Sequence, residues 1–160
     1  MTFLYHQITS TEGIYDYLLG LLQQLDGVSQ SPKYHPEGDA LYHSLQVFQL
    51  AHEQSDDPEL WAAALLHDVG KAVDPKHHDV WGSNALSGIL SERVCWLILH
   101  HLDLFKQPGR TVRQYRANPW LADLKKLRHW DVAGRSPYAQ VQMPEEALST
   151  IFQQIPVVPI

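Results

Sequence analysis

The run Asp57-Pro58-Glu59-Leu60-Trp61-Ala62-Ala63-Ala64-Leu65-Leu66-His67-Asp68-Val69-Gly70-Lys71 (residues 57–71) carries the clearest structural instructions in the chain. Asp57 stands as an N-cap, Pro58 fits the first helical position, and Glu59 follows in the first turn. The spacing predicts a helix through Leu60, Ala64 and Leu65 that stops at Gly70. His67 and Asp68 come directly after its apolar run, where burial is costly unless ligands satisfy them. A carboxylate in a last helical turn also opposes the helix dipole and calls for a cation.

The same periodicity recurs on both sides of this run. Ser10 or Thr11 caps a helix carrying Ile14, Tyr17, Leu18, Leu21, Leu22 and Leu25, which Gly27 ends. A turn-rich loop, 29–38, leads to a helix from Asp39 to about Glu53, with Leu41, Leu45, Phe48 and Ala51 inward. Residues 78–90 and 91–102 read as two more helices, with Ser91 as a cap between them. Residues 106–116 read as an irregular basic stretch. Asn118-Pro119 opens a helix through about Ala133, and Pro144-Glu145-Glu146 opens a last one to about Gln154. No strand-like alternation of useful length, internal repeat or low-complexity run is found, so the fold class is all-α.

Composition narrows the setting. The 160 residues fit one domain, 1–160, able to bury roughly 70% of its unfolded surface without a disulfide. The lone Cys95 suits a reducing, cytoplasmic environment. Residues 1–10 lack the features of a signal peptide, and no apolar run approaches the ~20 residues of a membrane span. A net charge of −6 makes nucleic acid an unfavoured partner. The tail 155–160, with two prolines and four apolar residues, is expected to be extended and to dock, either on its own domain or in a homo-oligomer.

Histidine is the informative count: there are 10, against 12 Lys and Arg together. Adjacent residues on a helix diverge by about 100°, so His67 and Asp68 grip one ion only if it lies at the helix end and other segments close over it. His43, on the preceding helix, and Asp131, on a late one, are candidates to do so. Two imidazoles and two carboxylates suit a divalent Mn, Fe, Mg, Co or Zn ion better than a thiolate-loving one.

Three segments, Tyr34-His35-Pro36-Glu37-Gly38-Asp39 with His43, Ala64-Leu65-Leu66-His67-Asp68-Val69-Gly70-Lys71, and Asp131-Val132-Ala133-Gly134-Arg135, together resemble the HD-domain superfamily of metal-dependent phosphohydrolases. They are most similar to the HD domains of tRNA nucleotidyltransferases. The resemblance spans roughly 30–137, leaves no room for a nucleotidyltransferase head, and so points to a stand-alone form. It implies a helical bundle around a metal site with His43, His67, Asp68 and Asp131 as ligands.

Dinuclear members of that superfamily carry further histidines between the His-Asp pair and the last Asp. Here His78 and the pair His100-His101 occupy that interval, so the resemblance implies one ion or two, with Asp68 bridging. His101 shares a face with Val94, Leu97 and Ile98, whereas His100 falls beside Trp96 and Arg93. His77 and His78 are not separated by spacing, but the His-x-x-x-Gly pattern favours His78. Asp39 either reaches an ion or simply caps its helix. Leu102-Asp103-Leu104 stands where cyclic-dinucleotide phosphodiesterases carry Gly-Tyr-Pro, which argues against that activity.

The chemistry expected is hydrolysis of a small phosphate ester or nucleotide by metal-activated water, with a small anionic phosphate-containing substrate as partner. Asp68, Lys71 and Arg135 are the expected catalytic residues, the last two steadying the phosphate. Each has a plainer structural reading: Arg135 as an i,i+4 partner of Asp131, Lys71 as a solvated residue past a helix end. Lys106, Arg110, Arg113 and Arg116 are read as a solvated loop in preference to an anion-gathering lid. The five tryptophans are read as core. Two alternatives stand beside hydrolysis: a diiron oxygenase, favoured by the extra histidines and by Leu127-Arg128-His129-Trp130-Asp131, and a catalytically silent metal-binding sensing module.

Overall fold

In the computed structural model, which describes residues 10–155, the capping chemistry sets the helix starts. The Ser10 hydroxyl accepts from Gly13 N at the head of α1 (Thr11–Gln23), which buries Ile14, Leu18, Leu21 and Leu22. Asp39 caps α2 (Ala40–Gln54). One of its carboxylate oxygens accepts from Tyr42 N and the other from Gly27 N, so both are engaged in backbone capping. Asp57 caps α3 (Pro58–Leu66), accepting from Glu59 N. Every residue from Leu60 to Leu66 is buried, which makes α3 the hub of the fold, packed against α2 and three later helices.

After α3 come two short 3-10 turns, Val69–Ala72 and Pro75–His77, then α4 (His78–Leu86) and α5 (Glu92–His100), which pack together. Two small helices, α6 (Asp103–Lys106) and α7 (Pro108–Gln114), precede α8 (Leu121–Ala133). The last, α9 (Pro144–Phe152), lies against α1, where Tyr15 meets Phe152 edge to face. Among the described residues there is no strand, only isolated bridges at Ser29–Asp39 and Ser87–Leu90. The architecture is all-α. The expected tail lies, beyond Ile155, outside the described residues.

Several boundaries differ from the sequence reading: the first helix, expected to carry Leu25 and end at Gly27, stops at Gln23. The third helix ends at Leu66, with His67 as C-cap, instead of Gly70. Gly70 sits on the first residue of α4, where an added Cβ would lie 2.3 Å from the His78 carbonyl oxygen. That approach turns the chain out of the helix and seats His78. The helix predicted over 78–90 stops at Leu86. The segment 106–116 is helical over Pro108–Gln114, held by the Thr111 hydroxyl on the Asp103 and Gln107 carbonyls. Thr111 is its one buried residue, so no apolar periodicity marks it in the sequence. Of the tryptophans, Trp61 and Trp130 are buried and the other three partly so.

Candidate metal centre

Four buried histidines converge where the end of α3 meets α2, α4, α5 and α8. Each is oriented through Nδ1 by a backbone carbonyl: His43 by Gly134 at 2.8 Å, His67 by Ala64 at 2.8 Å, His78 by Pro75 at 2.8 Å and His101 by Ile98 at 2.6 Å. A carbonyl only accepts, so each Nδ1 carries the proton, and each Nε2 of a neutral ring presents a lone pair to the interior. Three of these carbonyls lie three residues before their histidine, a local geometry available at helix ends. The fourth comes from Gly134, just after α8. A Cβ there would lie 2.8 Å from Val47 Cγ2, so glycine is what lets the end of α8 close on α2.

The lone pairs meet carboxylates. His43 Nε2 is 2.9 Å from Asp131 Oδ1 and 3.7 Å from Asp68 Oδ2. His67 Nε2 is 3.3 Å from Asp68 Oδ2 and 3.7 Å from Asp131 Oδ1, and makes no hydrogen bond. On the other side of Asp68, Oδ1 lies 3.2 Å from His78 Nε2 and 3.5 Å from His101 Nε2. These two imidazole nitrogens are 3.2 Å apart. Lone pairs this close to one another and to carboxylates require a cation between them, whether protons or a metal ion.

Proton affinities follow the same logic. Burial opposes a charge on His67, but Asp68 and Asp131 outweigh it and raise its pKa to about 10. His43 is raised as well, against burial, by Asp131 and Glu37. Asp68, although buried, is held well below the usual carboxylate range by His67 and Lys71, and Asp131 likewise by His67 and His43. His101 is lowered, by burial first and then by the charge of His67. Four imidazole nitrogens and two carboxylates fit a divalent, borderline-to-hard ion, and the carboxylate-imidazole triads His43–His67–Asp131 and His67–Asp68–His101 each draw together within ion-binding reach.

Of the residues singled out from sequence, His43, His67, Asp68, His78, His101 and Asp131 are brought together. His100 is not: its Nδ1 lies 2.7 Å from Asp103 and its ring packs on Trp96 and Tyr115, because successive residues at a helix end diverge. His77 is exposed and paired with Asp74. Lys71 Nζ reaches Asp68 Oδ2 at 2.9 Å and Gln30 Oε1 at 2.6 Å. Arg135 lies past the end of α8, with Nε on the Asp131 carbonyl, Nη1 on the Tyr34 carbonyl and Nη2 3.7 Å from Asp131 Oδ1.

Two participants had no role assigned from sequence. Gln30 holds Lys71, and Glu37 sits with its Oε1 3.0 Å from His43 Nδ1. Both lie in the loop before α2, which folds back over the cluster, so helical spacing carries no signal for either.

A family model described as HD domain matches residues 40–146. The multifunctional CCA protein of Teredinibacter turnerae is 43% identical over 67 residues, covering 42% of this chain and 16% of that protein. Those of Hahella chejuensis and Halorhodospira halophila are 46% identical over 63 residues and 48% over 58, each covering 36% of this chain. The chain spans about a sixth of the length of the relatives it matches. No helix among the described residues is long and apolar enough to cross a membrane.

Proposed function

The chain belongs to the HD domain family, and on that premise we propose that it is a metal-dependent phosphohydrolase acting on a small phosphate ester or nucleotide. The observation that supports this best is the two-sided use of Asp68: Oδ2 faces His43, His67 and Asp131, while Oδ1 faces His78 and His101. In this reading those two half-sites would hold two divalent ions, drawn from Mn, Fe, Mg, Co or Zn. When bound, such ions lower the pKa of water and neutralise phosphate oxygens.

The protein's own groups do the rest. Lys71 turns from Asp68 to a substrate phosphate, with Gln30 keeping its ammonium at the site. Arg135, fixed by two backbone carbonyls, offers Nη2 to the same anion. Asp68 and Asp131 stay ionised under their cationic neighbours and so present acceptors at neutral pH. The lone Cys95 fits a cytoplasmic setting.

Phosphate release from a panel of nucleotides and sugar phosphates, by wild type and Asp68→Ala reconstituted with each metal, tests this. Turnover by wild type that the variant lacks supports hydrolysis; equal background rates sink it and favour the silent sensing module. A second reading, a diiron oxygenase, is favoured by the histidine-rich pair of half-sites around one carboxylate. Substrate-dependent oxygen uptake by iron-loaded protein, without phosphate release, would establish it.

A further inference from the structure

Four histidines face the cluster, yet only one has an anion behind it. We propose that Glu37 is a positioning residue that makes the two ion sites unequal: its negative charge, 3.0 Å behind the Nδ1–H of His43, renders the His43–His67–Asp131 position the tighter one.

The Glu37 side chain is fully withdrawn from solvent. Its Oε1 lies 2.8 Å from His35 Nδ1 and 3.0 Å from His43 Nδ1. Its Oε2 is buried without a hydrogen-bond partner. A carboxylate placed so is costly unless its charge serves something nearby. The nearest chemistry is the His43 ring, whose Nδ1–H donates to the Gly134 carbonyl at 2.8 Å while Glu37 Oε1 lies 3.0 Å from the same nitrogen. An anion close to Nδ1 increases electron density at Nε2 and, with the Gly134 carbonyl fixing the ring, strengthens it as a ligand. His67, His78 and His101 have only neutral carbonyls at that position. The His43 side also gathers two carboxylates, Asp131 and Asp68 Oδ2, whereas the His78–His101 side has Asp68 Oδ1. His35, packed edge-on to His43, closes the stack and holds Glu37 from the solvent side.

This rests on the two-ion reading, and its test separates the two. Metal-stripped full chain is titrated with Zn²⁺ against a competing chelator. Wild type should bind in two steps. Glu37→Gln, which keeps shape and an acceptor but removes the charge, should weaken the first step about 10- to 100-fold and leave the second in place. Equal loss in both steps, loss in the second alone, or no change overturns the role of Glu37. A single wild-type step overturns the second ion, while the variant's effect on that step still decides Glu37. If Glu37→Gln fails to fold, ¹⁵N-histidine spectra of Zn²⁺-loaded wild type decide: one Nδ1 proton well downfield of the other three supports the proposal, and four alike overturn it.

Discussion

Two clusters of oppositely charged and polar groups lie against α3, and they are built on different principles. At its start, the Arg93 guanidinium meets Asp57 at 2.7 Å and Glu59 and Asp123 at 2.9 Å each, tying α3, α5 and α8 together. That cluster is complete: the cation is a residue, its fork fits carboxylates, and burial does not dislodge a charge that three acids hold. At the other end of α3, His43, His67, His78, His101, Asp68 and Asp131 offer lone pairs to one another, and His67 Nε2 has no hydrogen-bond partner. The first cluster supplies its own cation at its centre; the second, in the function proposed above, would take one from outside.

The largest difference should appear on cutting each cluster at its centre. Asp68→Ala should lose metal at both half-sites and drop phosphate release to background, whereas Arg93→Met should keep full metal content. Elemental analysis and phosphate assays check both; metal retained by Asp68→Ala would erase the distinction.

Stability should separate them next. An ion at 100 times its dissociation constant adds about 2.7 kcal/mol, so chelation should lower Tm by roughly 5–10 °C. In the metal-free chain, His67 has a folded pKa of about 10 against an ordinary 6.5. Its contribution is complete below pH 6.5 and is lost as pH rises through about 10. The depressed Asp68 and Asp131 contribute above about pH 3.9 and lose their effect as pH falls below it. Thermal melts of stripped protein should therefore weaken from pH 6.5 towards 10, while zinc affinity should rise about tenfold per pH unit for each proton displaced. A flat melt profile would contradict the shared-cation account.

Arg93→Met should cost roughly 2 kcal/mol, since the pair network is only partly withdrawn from water. That is a few degrees of Tm in a melt, with zinc affinity unchanged. Lys71→Met should raise KM for a phosphate substrate about tenfold at full metal occupancy, the loss of one charge-assisted hydrogen bond. His100→Ala should change metal content least of all, because its ring faces Asp103, Trp96 and Tyr115.

Much of the cluster was legible because its residues break a pattern: His67 and Asp68 directly follow the apolar run of α3, and His101 continues the apolar face of α5. The starts of α1, α2, α3 and α5 were legible from their caps. What was hidden depends on backbone meeting backbone. The turn at Asp68 follows from Gly70 lying on His78, and the orientation of His43 follows from Gly134 closing on Val47. Glu37 and Gln30 act through a loop fold that no periodicity encodes. The short α7, with one buried residue, has too little apolar face to read.

The most direct test of the central claim is metal stoichiometry of anaerobically purified protein, stripped, reloaded with excess Mn²⁺ or Zn²⁺ and desalted. Two equivalents per chain and a matching rise in Tm are expected. Protein that retains no metal and melts as the stripped chain does would contradict it.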